Sequence, residues 1–170
     1  MCSDKNSQIT LHRRGVSCFL YPHYSTFNEA LNYHSDDFKR TVRIKIKIVT
    51  AALMLGFQTL FTAVDVVFLR DPVPFLPTNA DLAIQDDMGS GLNSGFLLVR
   101  PTYGGVNLRQ RTLDIVMNEI IFDQKALNMV INDMVGKNSL NMKILDKQLF
   151  ACGIAYFEDG KICSWMTETI

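Results

Sequence analysis

The sequence predicts an α/β domain with a largely parallel sheet, and three observations carry that prediction. Short apolar runs of strand type ("TLFTAV", "DLAIQ", "FLLV") come first. Longer segments with a one-sided apolar stripe follow, of which "DQKALNMVINDMV" is the clearest. The two kinds alternate along the chain, the order that builds strand–helix layers. A length of 170 residues, 48% of them hydrophobic, suits one domain with its own core.

Taken in order, residues 1–40 read as an irregular polar and aromatic segment with room for a short helix, and 41–170 as the folded domain. "TVRIKIKIV" alternates apolar and charged residues, which suits a half-buried strand. The wider register Val42, Ile46, Val49, Leu53 suits one helix face ending at Gly56, so periodicity leaves both readings open. "TLFTAV" is a strand stopped by the proline turn "RDPVPFLP", and "DLAIQ" is a second strand. "DDMGSGLNSG" reads as a loop before the strand "FLLV", and "RTLDIVMNEII" as a helix. In "DQKALNMVINDMV", Asp123 is placed as N-cap and Gly136 as the stop. Asp159-Gly160 inside "AYFEDGKICSW" signals a hairpin.

Composition removes several function classes. Seventeen basic residues balance seventeen acidic ones, so no nucleic-acid or membrane-surface partner is indicated. The four cysteines form no CxxC pair. A Cys152–Cys163 disulfide and buried free thiols are both open, free thiols being the simpler reading. The N-terminus shows no signal peptide or anchor. The apolar stretch 48–69 holds Asp65 and several polar residues, which favours helix plus strand over a membrane span.

Ligands of open α/β sheets sit beyond the carboxyl ends of strands. Three acidic places fall there: Asp65, the pair Asp86-Asp87, and Asp123 beside Gln124. Carboxylates at strand tips suit a hard cation bridged to a diphosphate. Simpler roles compete at each: turn residue for Asp65, solvated loop acids for Asp86 and Asp87, helix cap for Asp123.

The blocks "LMLGFQTLFTAVDVVFLRDPVPFL", "DLAIQ", "NSGFLLVRPT", "DQKALN" and "LDKQLFACGIAYF" extend from about Lys45 to Phe157. Together and in that order they resemble the nucleotide-diphospho-sugar transferase domain, the GT-A glycosyltransferases similar to plant rhamnogalacturonan xylosyltransferases. The resemblance implies a GT-A-like, Rossmann-like, mostly parallel sheet flanked by helices and incomplete at both ends. It also implies a helix, not a strand, around Lys45. The implied activity is sugar transfer, of retaining type, from a nucleotide-diphosphate donor such as a UDP-sugar to a glycan or glycoprotein acceptor, in the Golgi or secretory lumen. With no anchor visible, a cytoplasmic location stays open.

By the same resemblance, Asp65 is a ligand to Mn²⁺ or Mg²⁺, and Lys45 a phosphate contact. Asn93, Ser94 and Gly95 become the donor loop, and Asp123 with Gln124 the reaction-centre pair. Two departures bear on activity. The family's Asp-x-Asp reads Ala63-Val64-Asp65 here, and the family's late histidine has no counterpart, since none follows His34. A truncated or decayed, non-catalytic module that binds a nucleotide or a protein is therefore the alternative expectation.

Overall fold

A computed structural model of the chain describes residues 5–18, 32 and 35–157. The chain divides into two compact units, Met1–Phe38 and Lys39–Ile170. In the first, helix α1 (Lys5–Arg13) ends where Gly15 takes a left-handed φ of 73°. Cys18 here is disulfide-bonded, whereas Cys152 in the second unit is buried and free. The Cys152–Cys163 bridge is thus not formed.

Helix α2 (Asp36–Met54) resolves the ambiguity of "TVRIKIKIV". Ser35 Oγ accepts the Phe38 amide at 3.1 Å, and two aspartates fill the first turn, favourable at the positive end of the helix. Gly56, at φ 88°, ends it: the Gly56 and Phe57 amides donate to the Leu53 and Ala52 carbonyls, a Schellman closure. Ile46, Val49, Thr50 and Leu53 form its buried face. The charged alternates lie around the remaining helix surface, which is why they mimic a strand pattern.

The sheet has four strands in the order β1-β3-β2-β4: β1 (Thr59–Thr62), β2 (Leu82–Asp86), β3 (Leu92–Val99) and β4 (Met142–Ile144). The expected α/β class holds, but the sheet is less parallel than expected. Only β2 and β4 run parallel, while β3 is antiparallel to both its neighbours. The reason is loop length: only residues 87–91 join β2 to β3, too few for a parallel crossover of a dozen or more.

Helices α3 (Tyr103–Asn118) and α4 (Asp123–Gly136) pack with α2 on one face, around Leu82, Ile84, Leu97, Val99, Leu127 and Met134. The opposite face carries Ala83, Phe96, Leu98 and Leu145, covered by Val66, Leu76 and Phe150 from the flanking loops. Among the described residues, no helix is long and apolar enough to cross a membrane.

Several local expectations are corrected. Asp123 is the first helical residue of α4, not its N-cap, which is Phe122. Gly136 stays within that helix, and the left-handed turn falls on Asn138 (φ 51°), the other residue type that tolerates it. The strand "FLLV" starts earlier, at Leu92, and α3 runs from Tyr103 to Asn118 instead of 111–121. Ala155–Phe157 belong to a short helix, α5 (Gly153–Phe157), so they cannot be the first arm of a hairpin; Asp159-Gly160 lies outside the described residues.

Thr102 caps α3: its Oγ1 accepts the Gly105 amide at 3.1 Å and donates to Asp81 Oδ1 at 2.7 Å. Thr102→Ala is expected to lower stability by about 1 kcal/mol in urea denaturation, and Thr102→Ser to recover most of it.

Candidate functional site

The site is set by an irregularity in β3. Ile84 pairs with Leu97, yet Asp86 pairs with Leu92, so two steps along β2 correspond to five along β3. The surplus is odd, and an odd bulge exchanges the faces of the residues beyond it. Leu97 and Val99 point to the helices, and past the bulge so does Ser94, while Asn93 turns to the other face. Gly95 sits at the bend. Its amide donates to Asn93 Oδ1 at 2.7 Å and its carbonyl accepts the Ala63 amide at 2.7 Å.

On the helical face, three elements converge. Lys45 of α2 places Nζ 2.5 Å from Asp123 Oδ2 at the start of α4, an ionic contact without hydrogen-bond alignment. The same ammonium donates to Ser94 Oγ at 3.4 Å and stands 5.3 Å from the centre of the Phe61 ring. Gln124 ties the cluster to the loop after β2. Its Oε1 accepts the Ser94 amide at 3.3 Å, and its Nε2 donates to Asp87 Oδ2 at 3.0 Å. Asn128, one turn along α4, clamps β3 by accepting the Leu92 amide and donating to the Leu92 carbonyl, each at 2.8 Å.

Arg109 of α3 is a further buried cation, one that feels the charge of Asp123. It is only 3% exposed, and its Nε has no hydrogen-bond partner. Burial lowers its pKa from the usual arginine range to about 10, opposed by the charge of Asp123, so it stays a cation at neutral pH. The sequence reading missed it. A signal existed: Gly105, Leu108, Arg109, Thr112 and Val116 make one buried stripe at helical spacing, with Arg109 inside it. Asp87, read from sequence as a solvated loop acid, is half-buried and bonded to Gln124; Asp86 accepts only the local Met88 amide.

The other face holds Asn93 and Asp65. Asn93 Nδ2 donates to Gln85 Oε1 at 2.8 Å, and Gln85 Nε2 to the Phe150 carbonyl at 3.2 Å. These amides line a cavity of about 710 Å³ together with Asp65, Arg70, Phe96 and Tyr156. Asp65 does not end the strand as expected: β1 stops at Thr62, and Asp65 follows in an exposed turn. Ala63, where a second carboxylate would stand, puts a methyl group against Gly95.

A divalent cation of the Mn²⁺ or Mg²⁺ kind needs several oxygen ligands. Among the described residues, no three histidines, cysteines or carboxylates come together, and the Asp123 carboxylate is engaged by Lys45. Among the described residues the donor set therefore does not fit a metal held by protein groups alone.

A sequence model of the nucleotide-diphospho-sugar transferase family matches residues 1–169. The chain belongs to that family. The match includes the N-terminal segment, which the sequence blocks above did not reach. Among curated proteins of Arabidopsis thaliana, the chain is 24% identical to arabinosyltransferase XEG113, over 86% of this chain and 28% of that protein. It is 26% identical to arabinosyltransferase RRA2, over 50% of this chain and 26% of that protein. It is also 26% identical to an uncharacterized protein, At1g28695, over 70% and 38% respectively. The chain thus spans well under half the length of these relatives. No solved structure matches. Of the residues singled out in this transferase domain by resemblance, Lys45, Ser94, Asp123 and Gln124 form one cluster, while Asn93 and Asp65 share the cavity on the opposite face.

Proposed function

We propose that this transferase domain binds a nucleotide diphospho-sugar, UDP-linked, and serves sugar transfer to a glycan or glycoprotein acceptor, in the Golgi lumen. The observation that supports the reading best is the convergence of Lys45, Ser94, Asp123 and Gln124 from α2, β3 and α4 onto one polar cluster. Charges this poorly exposed are costly to retain unless they are paired or used.

In this reading Lys45 meets the donor's phosphates, and Asp123 with Gln124 faces the reacting sugar carbon. In a retaining transfer a carboxylate there steadies positive charge as the bond to the diphosphate breaks. Asn93 and Gly95 act indirectly, by holding the bulge that turns Ser94 toward Lys45. A metal would add Lewis-acid stabilisation of the leaving diphosphate; the cluster's own cation is what this chain supplies. Binding without transfer is the second reading, and Ala63 in the acidic motif is what favours it.

Calorimetric titration with UDP tests both. The wild type is expected to bind UDP with an affinity that Mn²⁺ leaves unchanged, and Ala63→Asp to bind at least about tenfold more tightly when Mn²⁺ is added. Wild-type protein that fails to bind UDP overturns the proposal. Hydrolysis of a UDP-sugar that disappears in Asp123→Asn separates transfer from binding alone.

A further inference from the structure

We propose that Asn128, the last residue of the "DQKALN" block, is a positioning residue for the polar cluster: it fastens the first turn of α4 to β3 and so sets Ser94 against Lys45, Asp123 and Gln124. The proposal rests on the preceding subsection for the identity of the ligand. Three observations carry it. The first is that one side-chain amide bridges the two elements. Asn128 Oδ1 accepts the Leu92 amide at 2.8 Å, while Nδ2 donates to the Leu92 carbonyl and to the Gln124 carbonyl, each at 2.8 Å. Ser94, Asp123 and Gln124 all stand on the elements that Asn128 joins, β3 and α4.

The second is that no strand supplies this tie. β1 pairs with β3 from Phe96 to Val99, and its reach ends where the Ala63 amide meets the Gly95 carbonyl. Nor does the β2–β3 turn need Asn128 to close. The Asp87 amide already donates to the Gly91 carbonyl at 2.9 Å, and the Met88 amide to Asp86 Oδ1 at 3.2 Å. The bonds of Asn128 satisfy backbone groups that the bulge takes out of the ladder. The third is the room left for the side chain. Gly91 takes a left-handed φ of 93°, and a Cβ there would stand 2.8 Å from Asn128 Oδ1. Glycine thus serves the turn and the close approach of the amide together. The tie needs one acceptor and two donors at the end of a short stem, which asparagine alone provides. A carboxylate accepts without donating, and leucine does neither.

The test uses Asn128→Asp, whose carboxyl group replaces the amide only when protonated. Ionised, it sets negative charge against the Leu92 and Gln124 carbonyls. Neutral, it again accepts the Leu92 amide and donates one hydrogen bond. Those carbonyls disfavour ionisation and push its pKa above the usual carboxylate range. The UDP affinity of the variant, divided by that of wild type at the same pH, is expected to fall about tenfold at about pH 8 and to return to within about threefold at about pH 5. Asp86, Asp87, Asp123, Lys45 and UDP itself are common to both proteins, so the ratio removes their titration. A residue that only adds stability predicts a folded variant with wild-type affinity at both values. That result overturns the proposal, and so does a loss that acid does not reverse. If Asn128→Asp folds at neither pH, Asn128→Ser decides: folded, it must bind UDP about tenfold more weakly than wild type, and unchanged affinity overturns the proposal. Amide exchange without ligand is the independent arm. Relative to wild type at about pH 8, Asn128→Asp must lose protection at Leu92 and Ser94 together while Phe96–Val99 keep theirs. Protection retained at either amide overturns the positioning role, whatever UDP does. A wild type that binds no UDP overturns the donor reading, and the exchange arm then decides the tie between α4 and β3 by itself.

Discussion

Replacing Asp123 by alanine is expected to lower stability by about 3–5 kcal/mol, the cost of breaking a buried ion pair from one side. The substitution leaves Arg109, 3% exposed, as a buried cation without the Asp123 charge that favours its charged form. Lys45 also loses its partner, but its side chain reaches solvent and relaxes. The cost is therefore dominated by Arg109. Two comparisons make the argument specific. Lys45→Met removes the more exposed cation and leaves Asp123 only the charge of Arg109, which it influences without an ion pair, so a loss smaller than that of Asp123→Ala is expected. Asp123→Ala combined with Arg109→Met removes both buried charges and should be more stable than Asp123→Ala alone, as apolar replacements of buried pairs often are. Urea denaturation with unchanged m-values measures all three. A loss below about 1 kcal/mol for Asp123→Ala would mean that the Arg109 charge is solvated in a way its burial does not suggest.

How much of this was legible in the sequence depends on how local the cause is. The α4 stripe of Ala126, Leu127, Val130, Ile131 and Met134 is buried as the 3.6-residue spacing predicts, because one face of that helix meets the sheet. "DLAIQ" is a strand as read, because it is central in the sheet and apolar on both faces. Residues 41–49 were ambiguous for a physical reason. Arg43, Lys45 and Lys47 alternate with the apolar positions, and the helix keeps its charges at the edges of a narrow buried stripe. The bulge at Asn93–Gly95 leaves no periodic mark, so the sequence could name those three residues without showing that Asn93 and Ser94 face opposite ways. β4 is three residues long and exists because β2 pairs with it, which no local preference encodes. Arg109 was hidden by its type, since arginine on a helix reads as surface until its stripe is traced. Ala63 was legible from the outset, and the structure gives it a neighbour in Gly95.

Gly105→Ala is the second large effect, and it runs against helix propensity. Alanine is favoured over glycine inside a helix by about 1 kcal/mol, so the substitution would stabilise α3 if the position were open. It is not open. A Cβ on Gly105 would overlap the carbonyl oxygen of Arg100 and press on Val99 Cγ1 at 3.1 Å. The obstacle is backbone just past the buried Phe96–Val99 end of strand β3, and the Arg100 amide is itself bonded to the Asp81 carbonyl at 2.9 Å. Relief thus requires moving α3 away from the sheet, together with the Thr102 cap that fixes its first turn. Overpacking of this kind costs about 1–3 kcal/mol where side chains can yield, and a backbone obstacle puts Gly105→Ala at the upper end, about 3 kcal/mol. Gly104→Ala makes the contrast. Its Cβ would meet the Asp81 carboxylate, with Cγ at 2.9 Å, and a side chain can turn aside. Its cost is instead the Asp81 bonds to Thr102 Oγ1 and to the Asn141 amide, which tie α3 to the start of β4. Gly104→Ala is therefore expected to cost about 1–2 kcal/mol, in the range of two hydrogen bonds. Amide exchange separates the two mechanisms, with protection lost along β4 in Gly104→Ala and along the first turns of α3 in Gly105→Ala. A Gly105→Ala protein as stable as wild type would show that α3 is not seated against Arg100 in solution.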